Sequence, residues 1–189
     1  MWDTDELALL GELAAATIRA VLHGEGTPCT DPRYARFATA GASFVTLLQD
    51  GRLRGCIGSL LAERPLRADV AANAQAAALR DPRFAPLAVL ELPRTEVEVS
   101  VLSTPRPMRF SDEAAFYREL RVGVDGLIVE YRGRRATYLP SVWRQLPDAR
   151  TFVRELRRKA GIEEVVPLTA LNVQRYITQH SAPRPLTAT

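Results

Sequence analysis

Apolar positions recur along the chain in two rhythms. Over residues 4–22, Leu7, Leu10, Ala14, Ile18 and Val21 fall at the spacing of one helix face, with Asp3 or Thr4 placed to cap the start and Gly24 to end it. Residues 42–57 alternate instead, around Asp50-Gly51, a pair that between two apolar runs is the strongest local sign of a β-hairpin. With those two residues as the turn, Gln49 pairs with Arg52, Leu48 with Leu53, Leu47 with Arg54, Thr46 with Gly55, Val45 with Cys56 and Phe44 with Ile57. That register predicts a core face of Phe44, Leu48, Leu53 and Ile57. It puts Arg54 and Cys56 together on the opposite face, beside Val45 and Leu47.

The pattern continues with a second alanine-rich helix over 66–80, opened by Pro65 and ended by Asp81-Pro82. Residues 94–103 alternate valine (97, 99, 101) with Glu96, Glu98 and Ser100, as a strand with one wet face does. Ser111 is placed to cap a short helix ending at Leu120. Gly126–Tyr131 and Arg134–Tyr138 make a second predicted hairpin around Arg132-Gly133. A short helix over 141–146 carries Trp143, a longer one runs from Asp148 to Ala160, and 169–178 reads as a last strand. Residues 23–41, rich in glycine and proline, read as a loop of the length that often carries function, and 181–189 as a disordered tail. Hairpins and strands mixed with helices, without a βαβ rhythm, predict an α+β fold: a largely antiparallel sheet flanked by helices. At 189 residues the chain suits one domain, or one domain with a smaller second lobe.

Composition changes this picture little. No apolar run reaches the roughly 18 residues that span a membrane. The N-terminal stretch is acidic where a secretory signal is basic, so the expectation is a cytoplasmic protein. Cys29 and Cys56 form no CxxC pair and predict reduced thiols. A net charge of +3 is too weak to mark a nucleic-acid binder, although Arg132, Arg134, Arg135 and the 154–159 face leave that as a third reading. Cysteines and histidines are two each and widely separated, so no metal-ligand spacing exists, and nothing names a cofactor.

Chemistry concentrates in Leu53-Arg54-Gly55-Cys56-Ile57-Gly58-Ser59. Two glycines in a strand imply that something needs room there. This heptapeptide resembles the signature of the AMMECR domain family. Further blocks follow in order: Asn73 with Arg80-Asp81-Pro82-Arg83-Phe84, then Glu98–Leu102, Gly123–Ile128, Tyr138–Trp143 and Lys159-Ala160-Gly161. The resemblance covers roughly residues 42–162 and implies a two-lobed α+β domain. It also implies partners in a so-called AmmeMemoRadiSam system, namely a Memo-like, dioxygenase-like protein and a radical-SAM enzyme. It implies no particular reaction.

Among single residues, Cys56 is a candidate nucleophile or substrate-holding thiol, with Arg54 as the neighbour that tunes it. The competing reading is a small buried thiol. Gly55, Gly58 and Ser59 are candidates for letting a ligand approach and for donating to it. Asn73, Arg80 and Arg83 are candidates for its edge, the two arginines as a grip on carboxylate or phosphate. Against that stand a helix stop at Asp81-Pro82 and a core role for Phe84. With His23 at a helix end and His180 near the tail, a Cys–His pair is hard to build. The functional expectation is an enzyme or accessory subunit of a small modification pathway, with a cleft around Arg54–Ser59. The alternative is a non-catalytic module that binds Memo-like or radical-SAM proteins.

Overall fold

A computed structural model of the chain describes residues 1–187. It divides into two compact units, one holding Met1–Leu102 and the chain from Gln179 on, the other Ser103–Thr178. The first begins with α1 (Thr4–Leu22), whose Asp3 cap accepts from the Glu6 N–H while Glu6 returns the bond to the Asp3 N–H. The predicted loop over 23–41 is tighter than its glycines and prolines suggest. It forms two 3-10 turns, Pro28–Thr30 and Pro32–Phe37, and buries Tyr34 and Phe37 completely.

The hairpin follows as β1 (Ala40–Gln49) and β2 (Arg52–Gly58), then the short β3 (Arg64–Pro65), α2 (Leu66–Leu79) and β4 (Thr95–Leu102). Asp50 and Gly51 both have positive φ, 51° and 72°, as the tight turn requires. Gln49 pairs with Arg52 and Leu48 with Leu53, as expected. The register then slips by one, so Leu47 faces Gly55, Val45 faces Ile57, Thr46 faces Cys56 and Phe44 faces Gly58. Arg54 is the extra residue of a β-bulge. Because strand side chains alternate, a slip of one reverses the faces. The core face carries Val45, Leu47, Gly55 and Ile57, continued by Val97, Val99 and Val101 of β4, and packs against the helices. Phe44 and Leu48 are half-buried on the other face and Leu53 is exposed, so the core face expected from the unbulged register is corrected.

The room made by the two glycines is taken up within the protein. A Cβ on Gly55 would run into the carbonyl oxygen of Ala77, which is how closely α2 lies on β2. A Cβ on Gly58 would run into the Phe44 ring, which covers it from the neighbouring strand.

The second unit holds β5 (Arg106–Pro107), α3 (Glu113–Glu119), β6 (Gly126–Tyr131), β7 (Arg134–Tyr138), α4 (Ala149–Ala160) and β8 (Asn172–Tyr176). Its sheet runs β5-β8-β6-β7, antiparallel throughout. Asp112 rather than Ser111 caps α3, its carboxylate accepting from the Ala115 N–H. Trp143 is a core residue: its ring stacks on Phe152 at 3.7 Å and its indole N–H donates to the Asp125 carbonyl. Asp125 is fully buried and held by Arg121.

The chain returns to the first unit at Gln179, within β9 (Thr178–His180), and continues to β10 (Arg184–Pro185), both strands pairing with β4. The first sheet therefore runs β10-β4-β1-β2. The segment expected to be a loose tail is tied down over 181–187, with Ser181 and Leu186 buried and Arg184 opposite Val97. Residues 188–189 lie outside the described residues.

If the close approach of α2 to β2 is as tight as this, Gly55→Ala should cost about 1–3 kcal/mol in urea unfolding, because helix and strand must separate. Gly26→Ala, whose Cβ would meet nothing within 4 Å, should unfold at or slightly above the wild-type midpoint.

Candidate functional site

β2 is an edge strand, and its outward backbone groups at Cys56 would be unsatisfied without help. Asp81 and Arg83 supply it. The Cys56 N–H donates to Asp81 Oδ2 at 2.8 Å, and Arg83 donates to the Cys56 carbonyl at 3.1 Å. The two side chains also hold each other, at 2.7 and 3.0 Å, and the Arg83 N–H donates to Asp81 Oδ1. Asp81 is 4% exposed. Arg83 chiefly, with the Cys56 N–H adding to it, holds its carboxyl well below the usual carboxylate range. Since the Cys56 backbone points outward, Cys56 and Thr46 form a non-hydrogen-bonded pair, the kind in which side chains sit closest. The Thr46 hydroxyl accordingly donates to Cys56 Sγ at 3.4 Å, and the thiol is half-buried.

Arg54 is turned elsewhere. As the bulge residue it leaves the alternation and pairs in bidentate fashion with Glu91, at 3.0 and 3.0 Å. Glu91 also accepts from Gln49 at 3.0 Å and from the Ala88 N–H at 2.9 Å. With Arg54 as the main cause, its carboxyl is lowered from 4.5 to about 2. The expected sharing of a face by Arg54 and Cys56 does not occur; the guanidinium that reaches Cys56 belongs to Arg83. Arg80 is exposed at the end of α2.

Ser59 and Asn73 come together, as part of a buried network rather than at an open edge. Asp69, 1% exposed, is its centre. Its carboxylate accepts from the Ser43 N–H and hydroxyl (2.8 and 2.6 Å), from the Ser59 hydroxyl (2.7 Å), from the Asn73 amide (2.9 Å) and from Arg64 (2.9 Å). The Asn73 amide also donates to the Ser43 carbonyl at 3.0 Å. Asp69 and Asn73 stand four apart on α2, one turn of the same face, and that spacing in an alanine-rich helix was the available sign of Asp69. Glu91 and Arg64 had no such sign.

The face of the sheet that carries Cys56 also holds groups from β4 and β9. Thr46 is paired with Glu98 and Phe44 with Ser100. His180 Nδ1 lies 3.1 Å from Glu98 Oε1 and 2.9 Å from Ser100 Oγ. Among the described residues no group of three or more His, Cys, Asp or Glu side chains is placed to hold a metal ion, and no helix is long and apolar enough to cross a membrane.

With this geometry in hand, a model of the AMMECR1 family matches residues 11–181. The chain belongs to the AMMECR1 family. It is 43% identical over 120 residues to a protein of Methanothermobacter thermautotrophicus, covering 63% of this chain and 62% of that one. It is 41% identical over 134 residues to a protein of Saccharolobus islandicus, covering 65% of this chain and 57% of that one. The chain thus spans about three fifths of the length of these curated relatives. The crystal structure of the uncharacterized protein PH0010 from Pyrococcus horikoshii is similar with a TM-score of 0.76 and 26% identity, over 96% of this chain and 97% of that one. The α+β fold expected from the AMMECR resemblance is the fold observed.

Two outcomes follow from the paired carboxylates. Glu91→Gln leaves the half-buried Arg54 without its counter-charge and should cost about 1–3 kcal/mol at neutral pH. Because the folded carboxyl titrates lower than the unfolded one, Glu91 contributes fully above about pH 4.5 and loses its effect as pH falls toward 2. Chemical denaturation against pH should therefore show the gap between wild type and Glu91→Gln closing over that range. Asp69→Ala strands donors on β1, α2 and the residue after β2, and should lower stability by about 3–5 kcal/mol in the same assay.

Proposed function

We propose that this chain is an enzyme, or the accessory subunit of one, in a small modification pathway, and that Cys56 is the group it works with. The observation that carries this reading is how Cys56 is held. Both of its backbone polar groups are fixed by the buried Asp81 and its exposed partner Arg83, and its sulfur accepts a hydroxyl hydrogen bond on the face away from the helices. A thiol that only filled core volume would belong on the opposite face, with Val45 and Leu47. A fixed backbone keeps sulfur in one place, as a nucleophile or a substrate-holding thiol requires. The pathway partners implied by the family resemblance, a Memo-like and a radical-SAM protein, belong to the same proposal.

The roles proposed for the neighbours follow their contacts. Asp81 and Arg83 position Cys56. Ser59 and Asn73 act through Asp69 on the strand ends, and Gly55 and Gly58 let α2 and Phe44 come close. Weighing against a nucleic-acid reading, Arg134 donates to the Gly161 carbonyl, Arg158 pairs with Glu155, and Lys159 donates to the Thr137 carbonyl.

The test is alkylation of the native protein with iodoacetamide, read by peptide mass and paired with thermal unfolding. Cys56 should be modified in the folded state, and Cys56→Ser should lose that adduct and any turnover while the melting temperature moves by less than about 2–4 °C, the shift expected for 1 kcal/mol in a chain of this size. A Cys56 that reacts only after unfolding, with a large loss of stability in Cys56→Ser, would overturn the reading.

A further inference from the structure

The sequence alone left Glu98 on the wet side of a strand and His180 near the tail. Folding brings both onto the sheet face that bears Cys56. In the direction across the strands the order is Cys56 on β2, Thr46 on β1, Glu98 on β4, and then His180 on β9. Adjacent strands lie about 4.8 Å apart, so the Cα of Cys56 and that of Glu98 are separated by roughly 10 Å. The thiol is bonded to Thr46 and the Glu98 carboxylate to His180, and the separation is within the reach of a small molecule attached at sulfur.

Charge decides what kind of molecule. On the β2 side Arg83 is paired with Asp81 and Arg54 with Glu91, while Arg52 and Arg80 stand exposed at the turn and at the end of α2. On the β4 side Glu98 is bonded to an imidazole and Ser100 sits beside it, while Glu96 lies two residues along the same strand face. Both Ser100 and Glu98 address the same ring nitrogen, Nδ1. That arrangement orients the Glu98 carboxylate through His180. It does not activate the Ser100 hydroxyl, which would need one ring nitrogen for itself and the other for the carboxylate.

We propose that Glu98, oriented by His180, is the specificity-determining residue of the Cys56 site, and that it selects thiol-addressed molecules carrying a positively charged group, an ammonium or a guanidinium, a few ångströms beyond the reacting atom. This rests on the Cys56 reading above and adds the class of ligand to it.

Two methanethiosulfonate reagents test it, one ending in trimethylammonium and one in sulfonate, otherwise of similar reach. Each places a thioalkyl group on sulfur by thiolate attack at the reagent sulfur, forming a disulfide and releasing methanesulfinate. The protein is used at full length, and the rate at Cys56 is read by peptide mass with Cys29 as the internal comparison. Wild type should react faster with the cationic reagent. Glu98→Gln should lower the cationic-to-anionic rate ratio at Cys56 by about three- to tenfold, as expected for one charge acting over this distance near a protein surface. Glu98→Asp, which keeps the charge, should retain most of the preference, and the ratio at Cys29 should not move. If Cys56 reacts with both reagents and Glu98→Gln leaves the ratio unchanged, the assignment of Glu98 is overturned while the thiol reading stands. If Cys56 reacts with neither until the protein is unfolded, the thiol reading falls and this inference falls with it.

Discussion

One extra residue in β2 governs where the groups of the site lie. Arg54 has no partner across the hairpin, so every residue after it faces the side opposite to the one a regular ladder would give it. Gly55 is thereby turned to the helices, where only a residue without a side chain lets the Ala77 carbonyl come so near. Cys56 is turned away from them, next to Thr46. Arg54 itself leaves the alternation and is taken up by Glu91. The bulge, the close helix and the placed thiol are parts of one arrangement.

The same region is costly in buried charge, and the chain meets that cost by pairing. Asp69, Asp81 and Glu91 are each withdrawn from water, and each accepts several hydrogen bonds, including at least one from an arginine. Such pairs add little net stability compared with apolar packing, because desolvation offsets much of their attraction. Their effect is on geometry. Asp69 joins β1, the residue after β2 and α2; Asp81 joins β2 to the end of α2; Glu91 joins the bulge to the start of β4. The motif around Cys56 is held from three directions by contacts that cannot be shifted without stranding a charge.

Membership of the AMMECR1 family accounts for the fold, and the site has to be argued from its own residues. The Asp81-Pro82-Arg83 segment illustrates the difference. Read as two arginines near a helix end, it suggests a grip on an anion. In place, Arg83 is engaged with Asp81 and with the Cys56 carbonyl, so the segment closes an open sheet edge and steadies the thiol.

What the sequence determined by itself is the set of local elements. Both helix caps at Asp3 and Asp148, the two tight turns at Asp50-Gly51 and Arg132-Gly133, and the alternation of valines in β4 depend on neighbours a few residues away, so they were legible without the fold. The prominence of the Arg54–Ser59 stretch was legible too, because glycines and a thiol inside a strand are unusual wherever they occur. The tertiary structure decided the rest. Whether β2 bulges depends on Glu91, 37 residues on, receiving Arg54, and which side of the sheet is core depends on where α2 lies. The order of residues 181–187 comes from pairing with β4, distant in the chain. That pairing also sets His180 against Glu98. Contacts of that kind leave no periodicity to read, since nothing local repeats; they exist only when segments far apart in sequence share one sheet.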